Sequence, residues 1–365
     1  MRYNSDTTNL GWILLLAGSL ASCSDSELVG TLPDLSCGDL DPAFLADGGV
    51  GRDGIPALTN PGFVSSLDES ATGYLRDSDR VIGVRIGDEW LAIPHNIMYR
   101  HEIVNLDRGG QAIAVTYCPL TGSALAFDRG SVGSAEFGVS GLLYQANLIM
   151  YDRQSDDSLW PQMRGAAACG PREGQALVRY PLVEMSWRGW KELFPGSSVI
   201  AVEPFDQDAY SVNPYGNAYE HPNNGSYLGF PIPNDDARRQ PKERVLGFPA
   251  EAGSSPVALP FHAMEARGEK WVAEFDHGGA PAAVFWDRTL LAAVAVRPAA
   301  QGRRLTFRVE DDMVVDNETG SRWSVAGVAI QGPLAGESLE IIPDAYVAFW
   351  LAWVAFHPGT ELFVE

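Results

Sequence analysis

Asp107-Arg108-Gly109-Gly110, followed by Gln111-Ala112-Ile113-Ala114-Val115-Thr116-Tyr117-Cys118, is a glycine turn that leads into alternating apolar residues. Such alternation, with Ile113, Val115 and Tyr117 on one face, is typical of a strand with one buried side. The same pattern returns at Asp276-His277-Gly278-Gly279 and Ala280–Asp287. The sequence therefore predicts two copies of one β unit.

The similarity between the two copies extends beyond this strand. Ala124–Phe127 aligns with Ala293–Val296 without a gap, and each copy closes on an apolar strand that precedes a proline, so we place the copies at residues 107–182 and 276–343. Cys118 in the first copy is matched by Asp287, and Cys169 is matched by Gln331. Thiol chemistry is therefore expected only in the first copy.

Composition sets broad limits on function. The chain has 365 residues, of which 45% are hydrophobic and 10% aromatic, which indicates a globular protein with a large core. Its net charge of −21 argues against nucleic acid as a partner, because phosphate binding needs clustered Lys and Arg.

The N-terminus has the pattern of a processing signal. Arg2 precedes the apolar stretch Leu10–Leu20, and Leu20-Ala21-Ser22-Cys23 resembles a bacterial lipobox. We expect residues 1–22 to be a signal peptide and Cys23 to carry the lipid that anchors the chain to a membrane in the cell envelope. Ser24 favours the outer membrane. Residues 23–53 are the predicted tether.

Three cysteines remain after Cys23 is assigned to the lipid. Export places Cys37, Cys118 and Cys169 in a compartment that permits disulfides, and any pairing leaves one thiol over. We favour a Cys37–Cys169 disulfide with Cys118 free, and the two other pairings stay open.

The rest of the chain divides into two β-rich parts. We assign residues 54–202 to the first half, 203–255 to a long irregular connection and 256–365 to the second half. Helices are predicted over 181–193 and 344–356, where aromatic residues recur at helical spacing and Asp344 is expected to cap the second. The predicted fold is mainly β, a β-rich α+β protein with its halves about a pseudo-twofold axis and a few helices.

Several longer motifs carry a family resemblance. They are Asp53-Gly54-Ile55-Pro56-Ala57-Leu58, His101-Glu102-Ile103-Val104-Asn105, Val115–Ala124, Phe137–Tyr144, Asn147–Asp152 and Ser158–Gln162. With them the chain resembles, from about Asp53 to Glu361, a prokaryotic family catalogued as domain of unknown function 3179. Many relatives have a second cysteine where this chain has Thr121, which puts Cys-x-x-Cys chemistry in doubt here.

Cys118 is the best single candidate for chemistry. It stands at the end of a strand, before Pro119, and thiolate is a favoured ligand of copper(I) and zinc. Our leading hypothesis is a site for a soft metal, copper in the first place, formed by Cys118 with His101 and Met150. The structural alternative is a buried free cysteine that packs as a small hydrophobic residue.

Two further hypotheses are open. In a cysteine-dependent enzyme of acyl transfer or hydrolysis, Cys118 would be the nucleophile and His101 its base. In a binding or scaffolding module, the aromatic segment 205–230 of the connection would grip a glycan or a protein partner. The residues expected to line a pocket around Cys118 are Glu102, Asn105, Tyr117, Tyr144, Asn147 and Trp160.

Overall fold

The computed structural model describes residues 37–155, 158–202, 206–227, 229–233, 236–251 and 253–363. Cys23 and the predicted signal peptide lie outside the described residues. The fold is mainly β, as the sequence predicts. None of the helices in the described ranges is long and apolar enough to cross a membrane.

The first half contributes strands β2 to β14, and β1, which lies in the predicted tether, pairs with β9, so the tether is shorter than predicted. Their bounds are β1 Leu45–Asp47, β2 Leu58–Thr59, β3 Phe63–Ser65, β4 Arg80–Ile86, β5 Glu89–Pro94, β6 Ile103–Arg108, β7 Gln111–Cys118, β8 Ser123–Asp128, β9 Phe137–Tyr144, β10 Asn147–Asp152, β11 Leu159–Pro161, β12 Val178–Tyr180, β13 Leu182–Ser186 and β14 Ser198–Ile200.

The second half contributes strands β15 to β28. They are β15 Arg244–Phe248, β16 Val257–Pro260, β17 Lys270–His277, β18 Ala280–Asp287, β19 Ala292–Arg297, β20 Ala299–Ala300, β21 Arg303–Arg304, β22 Phe307–Glu310, β23 Met313–Asp316, β24 Arg322–Trp323, β25 Ala329–Gln331, β26 Glu340–Ile341, β27 Tyr346–Phe349 and β28 Glu361–Leu362. The helices are α1 Glu69–Thr72, α2 His95–His101, α3 Trp187–Leu193, α4 Gln207–Tyr210, α5 Phe261–Arg267 and α6 Trp350–Phe356.

The order of strand pairing is similar in the two halves. One sheet runs β13-β4-β5-β14-β3 in the first half and β27-β15-β16-β28 in the second, and another runs β12-β8-β7-β6-β2 against β26-β19-β18-β17. In the first pair of sheets, β14 pairs with β5 and β28 pairs with β16, both in parallel. In the second pair of sheets, β2 pairs with β6 in parallel. The other neighbouring strands in these four sheets are antiparallel. A pseudo-twofold axis between the halves stays a prediction.

The two halves contact each other through reciprocal backbone hydrogen bonds. The N–H of Phe349 in the second half donates to the carbonyl of Thr121 in the first, at 2.9 Å, and the N–H of Ser186 donates to the carbonyl of Leu290, at 2.8 Å. Strand β27 packs on β8, and β13 packs on β19. Each half thus places one strand against a sheet of the other.

Both helix predictions were wrong in their first residues. Residues 182–186 form strand β13, which pairs with β4, and α3 begins only at Trp187, where the Ser186 side chain accepts from the N–H of Gly189. Likewise β27 pairs with β15, and α6 begins at Trp350 after Phe349 rather than after Asp344. Residues 346–349 are apolar and buried throughout, so their sequence has no period that separates a strand from a helix.

Each of these helices packs a tryptophan on its own sheet at a glycine. A Cβ atom at Gly83 of β4 would lie 2.0 Å from the Trp190 ring, and one at Gly247 of β15 would lie 2.4 Å from the Trp353 ring. Only glycine permits this approach. Gly247 also shows that the predicted connection is too long, because β15 lies inside it.

Candidate functional site

The structure joins Cys37 to Cys169, with their Cα atoms 5.0 Å apart. This is the pairing favoured from the sequence. Leu159 of β11 forms a bridge with Cys169, so the disulfide fixes the first described residue to the edge of the sheet that contains β11. Cys118 is the free cysteine of the described residues.

Cys118 ends strand β7 and is 1% exposed. Its Sγ accepts a hydrogen bond from the N–H of Leu148, at 3.4 Å, and lies 3.8 Å from the carbonyl of Ala146. Burial, followed by the nearby charge of Glu102, raises the pKa of the thiol to about 11. The protonated thiol therefore dominates at neutral pH.

His101 is the last residue of α2, and both of its ring nitrogens are engaged elsewhere. Nδ1 lies 2.8 Å from the carbonyl of Pro56, and Nε2 lies 2.8 Å from the hydroxyl of Tyr210. Met150 shares the hydrophobic core in which Cys118 is buried. Within the described ranges, no group of three or more His, Cys, Asp or Glu is placed to hold a metal ion.

Glu102, predicted only as a pocket residue, is the unusual neighbour of Cys118. It ends α2 in the left-handed region, with φ of 56°, and is buried. Burial raises the pKa of its carboxyl to about 8. The helix of the second half ends at Gly268 instead. Glu102 therefore combines a buried carboxyl with a backbone conformation that is unfavourable for a residue other than glycine. This combination beside Cys118 marks it as a candidate functional residue.

The other predicted pocket residues have separate surroundings. Asn105 bonds both the N–H and the carbonyl of Phe137, each at 2.9 Å, and so ties β6 to β9. Trp160 donates to Asp152, at 3.1 Å. Tyr144 lines a cavity of about 640 Å³, and Tyr117 belongs to a different core from Cys118.

Asn147 belongs to a buried polar network beside Cys118. Its amide donates to Thr121 and Gln162, and Gln162 in turn bonds Ser123 and Thr116. The network satisfies its own hydrogen bonds, which makes it a rigid support for the end of β7.

A second group of residues, which the sequence analysis missed, lies where the halves meet. We call it the charge cluster, and its members are Arg80, His95, Glu184, Glu220 and Arg244. Nε2 of His95 lies 3.0 Å from Oε1 of Glu184, and Nη2 of Arg80 lies 3.8 Å from the same oxygen. Arg244, at the start of β15, donates to Glu220 at 2.5 Å.

Burial and charge decide the protonation states in the charge cluster. Burial lowers the pKa of His95 despite its bond to Glu184, so the imidazole is neutral at pH 7 and its Nε2–H donates to the carboxylate. Burial alone would raise the pKa of Glu184, but the bond from His95 and the charge of Arg80 hold it below its usual range. The two arginines and two glutamates balance in charge.

Several buried polar atoms of the charge cluster have no hydrogen-bond partner in the part of the chain that the structure describes. Nε and Nη2 of Arg80, Nη1 of Arg244, Oε2 of Glu184 and Nδ1 of His95 are buried and have no hydrogen-bond partner among the described residues. Leaving a buried polar atom unpaired costs about 1 to 3 kcal/mol. Five such atoms in one place indicate a bound group, either water or a ligand.

A cleft of about 400 Å³ opens above the charge cluster. Glu220 and Arg244 form part of its lining, together with the aromatic rings of Phe261 and Trp286, whose centroids are 5.1 Å apart. Nη1 of Arg80 donates to the carbonyl of Leu291, another lining residue. At the rim, Arg288 pairs with Glu265 at 2.8 Å. Volumes of this size hold small molecules.

One signal in the sequence points to this site. Arg80-Val81-Ile82-Gly83 matches Arg244-Val245-Leu246-Gly247, which extends the similarity between the halves to the strands that carry both arginines. After these strands, α2 begins with His95 where α5 begins with Phe261. The first half thus has a polar residue at a position that is apolar in the second.

The comparison with known proteins identifies a family. The family described as protein of unknown function (DUF3179) matches residues 52–360, and the chain belongs to it. No curated protein and no solved structure matches the chain.

Proposed function

We propose that this chain is an extracytoplasmic protein, lipid-anchored at Cys23 in the cell envelope, that binds a small ligand in the cleft above its charge cluster. The observation that carries the binding function is the cleft itself, which combines aromatic rings with a buried charge cluster drawn from both halves and the connection. From the predicted binding segment 205–230, Glu220 and Pro222 line the cleft, whereas its aromatic lining comes from Phe261 and Trp286 of the second half.

Two observations support the location. The sequence Leu20-Ala21-Ser22-Cys23 supplies the lipidation motif, and a disulfide between Cys37 and Cys169 is typical of oxidising compartments. Palmitate labelling of the full chain in a bacterial host tests the anchor. Wild-type protein should incorporate label and sediment with membranes, whereas a Cys23→Ser variant should do neither. Equal labelling of both would refute the anchor.

Binding in the cleft is tested with a defined set of probes: neutral sugars, polyols, amino acids and hydroxy acids, observed by ligand NMR. A His262→Trp variant should fill the cleft, because His262 lines it with about half of its side chain exposed. Lys191→Trp, on α3 and away from the cleft lining, is the matched control. Loss of a probe signal with His262→Trp alone supports the function, and no probe bound by wild type argues against it.

A second candidate function is a soft-metal site at Cys118. The observation that favours it is Glu102, whose buried carboxyl lies close enough to raise the pKa of the thiol. Copper or zinc would have to displace the protons of both groups. His101 contributes least to this proposal, since both of its ring nitrogens are hydrogen-bonded.

The cysteine-dependent enzyme receives less support from the geometry. A nucleophilic cysteine needs a lowered pKa and a base within hydrogen-bond reach. Cys118 has a raised pKa, and His101 bonds Pro56 and Tyr210.

A further inference from the structure

The unpaired atoms of the charge cluster restrict the chemistry of the ligand. Three belong to guanidinium groups and can only donate, namely Nε and Nη2 of Arg80 and Nη1 of Arg244. The other two, Nδ1 of neutral His95 and Oε2 of Glu184, can only accept. A fitting ligand therefore offers acceptors to the arginines and at least one donor to His95 or Glu184.

A carboxylate satisfies the first requirement. Its two oxygens match the paired N–H groups of guanidinium, and such bonds are among the strongest that proteins form. A hydroxyl satisfies the second, because its proton can be donated to an imidazole nitrogen or a carboxylate. A neutral polyol offers the arginines only uncharged acceptors, which form weaker bonds than a carboxylate, and a simple fatty acid lacks the donor.

We propose that the charge cluster and the cleft above it form a binding site for a small hydroxy acid, a molecule with one carboxylate and one or more hydroxyl groups. This inference rests on the proposed function and specifies its ligand class. The carboxylate meets Arg244 at the floor of the cleft, with Arg80 just behind it, and the hydroxyl is directed toward His95 and Glu184 in the cluster below the floor. The rings of Phe261 and Trp286 cover the carbon chain.

A ligand in the cleft reaches the charge cluster at the floor of the cleft, which Glu220 and Arg244 form. Arg244 and Glu220 line the cleft directly, and each also belongs to the cluster. Arg80 lies just behind, with its guanidinium carbon 5.8 Å from the centre of the Phe261 ring. A ligand that enters the cleft therefore meets Arg244 first.

The test compares two ion pairs that line the same cleft. The floor variant Glu220→Gln/Arg244→Met and the rim variant Glu265→Gln/Arg288→Met remove the same charges, so the net charge of the protein is unchanged in both. Calorimetry on the folded full chain would use glycerate as the probe, with glycerol and propionate as probes that lack one of the two groups. Circular dichroism and thermal unfolding check that each variant is folded.

We expect glycerate to bind wild type at least tenfold more tightly than glycerol or propionate. The floor variant should lower the affinity for glycerate at least tenfold, and the rim variant should lower it less than threefold. A third variant, His95→Phe, which copies the residue of the second half, should reduce the advantage of glycerate over propionate.

Four results would overturn the inference. The first is equal affinity for glycerate and glycerol, and the second is an equal effect of the floor and rim variants. The third is binding of a neutral sugar that His262→Trp abolishes while glycerate does not bind. The third result leaves the proposed function intact, whereas the fourth, absence of binding by every probe, removes both and assigns the unpaired atoms to water.

Discussion

The imidazole of His95 donates to the carboxylate of Glu184 over 3.0 Å, and both side chains are buried. This bond is the centre of a charge cluster in which Arg80 depends on the same carboxylate for its compensating charge. Removing one partner of a buried ion pair leaves the other charge without compensation, which is more destabilising than removing both.

Glu184→Val should therefore lower the free energy of unfolding by about 3 to 5 kcal/mol, because it leaves Arg80 buried without its carboxylate. The double change Arg80→Met/Glu184→Val should recover part of that loss. Urea unfolding of the full chain measures both. Glu310→Gln, which breaks the exposed pair with Arg308, is the control and should cost less than about 1 kcal/mol. A double variant as unstable as the single one would contradict the prediction.

Glu102→Gln should alter how stability depends on pH. The pKa of this carboxyl rises from 4.5 to about 8 on folding, so its contribution is full below pH 4.5 and is lost as the pH rises to 8. The loss is up to about 5 kcal/mol. The variant should therefore be the more stable protein at pH 8, and the difference should shrink toward pH 5. Unfolding curves at several pH values measure this, with Glu69→Gln on exposed α1 as the control. Parallel curves for wild type and Glu102→Gln would refute it.

Reduction of the Cys37–Cys169 disulfide should destabilise the protein. The two cysteines are 132 residues apart, and opening a loop of that length returns roughly 2 to 5 kcal/mol of conformational entropy to the unfolded chain. Thermal unfolding with and without a thiol reductant measures the effect. The Cys37→Ser/Cys169→Ser variant should start at the lower stability and show no response to the reductant. A response of that variant would point to another cause.

Cys118 should be protected from alkylation in the folded protein. Burial and a thiol pKa of about 11 leave little reactive thiolate at pH 7.5, so iodoacetamide should react at least a hundredfold more slowly than in denaturant. Intact mass against time measures the rate. Fast labelling of the native chain would favour the cysteine-dependent enzyme instead.

The soft-metal hypothesis has its own test. Copper(I) or zinc should bind in a one-to-one ratio, and binding should be lost in both Cys118→Ser and Glu102→Gln. His101→Gln, whose ring nitrogens bond Pro56 and Tyr210 in the wild type, should leave the ratio unchanged. Binding that survives loss of the thiol would eliminate the site.

The sequence predicts those parts of the fold in which the pattern has a period. The two strands predicted after the glycine turns form over the predicted residues, as β7 Gln111–Cys118 and β18 Ala280–Asp287. It fails at β13 and β27, because residues 346–349 are apolar throughout and only the pairing with β15 makes them a strand.

The candidate site is less accessible to sequence analysis for a physical reason. Arg80, Glu184 and Arg244 come from strands that are distant in the chain, and the burial of Arg80 and Glu184 and the partial burial of Arg244 are properties of the packed halves. Taken singly, each is a charged residue, a type that is normally exposed. Cys118 was conspicuous as a residue type, but its raised pKa depends on three-dimensional contacts with residues such as Glu102.

The reciprocal bonds between Phe349 and Thr121 and between Ser186 and Leu290 have a consequence for the integrity of the chain. Because a strand of each half packs against a sheet of the other, the two halves are held together by these contacts as well as by the covalent connection. A protease cut in the connection, for example near Asn224, should leave a nicked complex of two fragments that still migrates as one particle. Either fragment made alone would lack a neighbour for its own sheet.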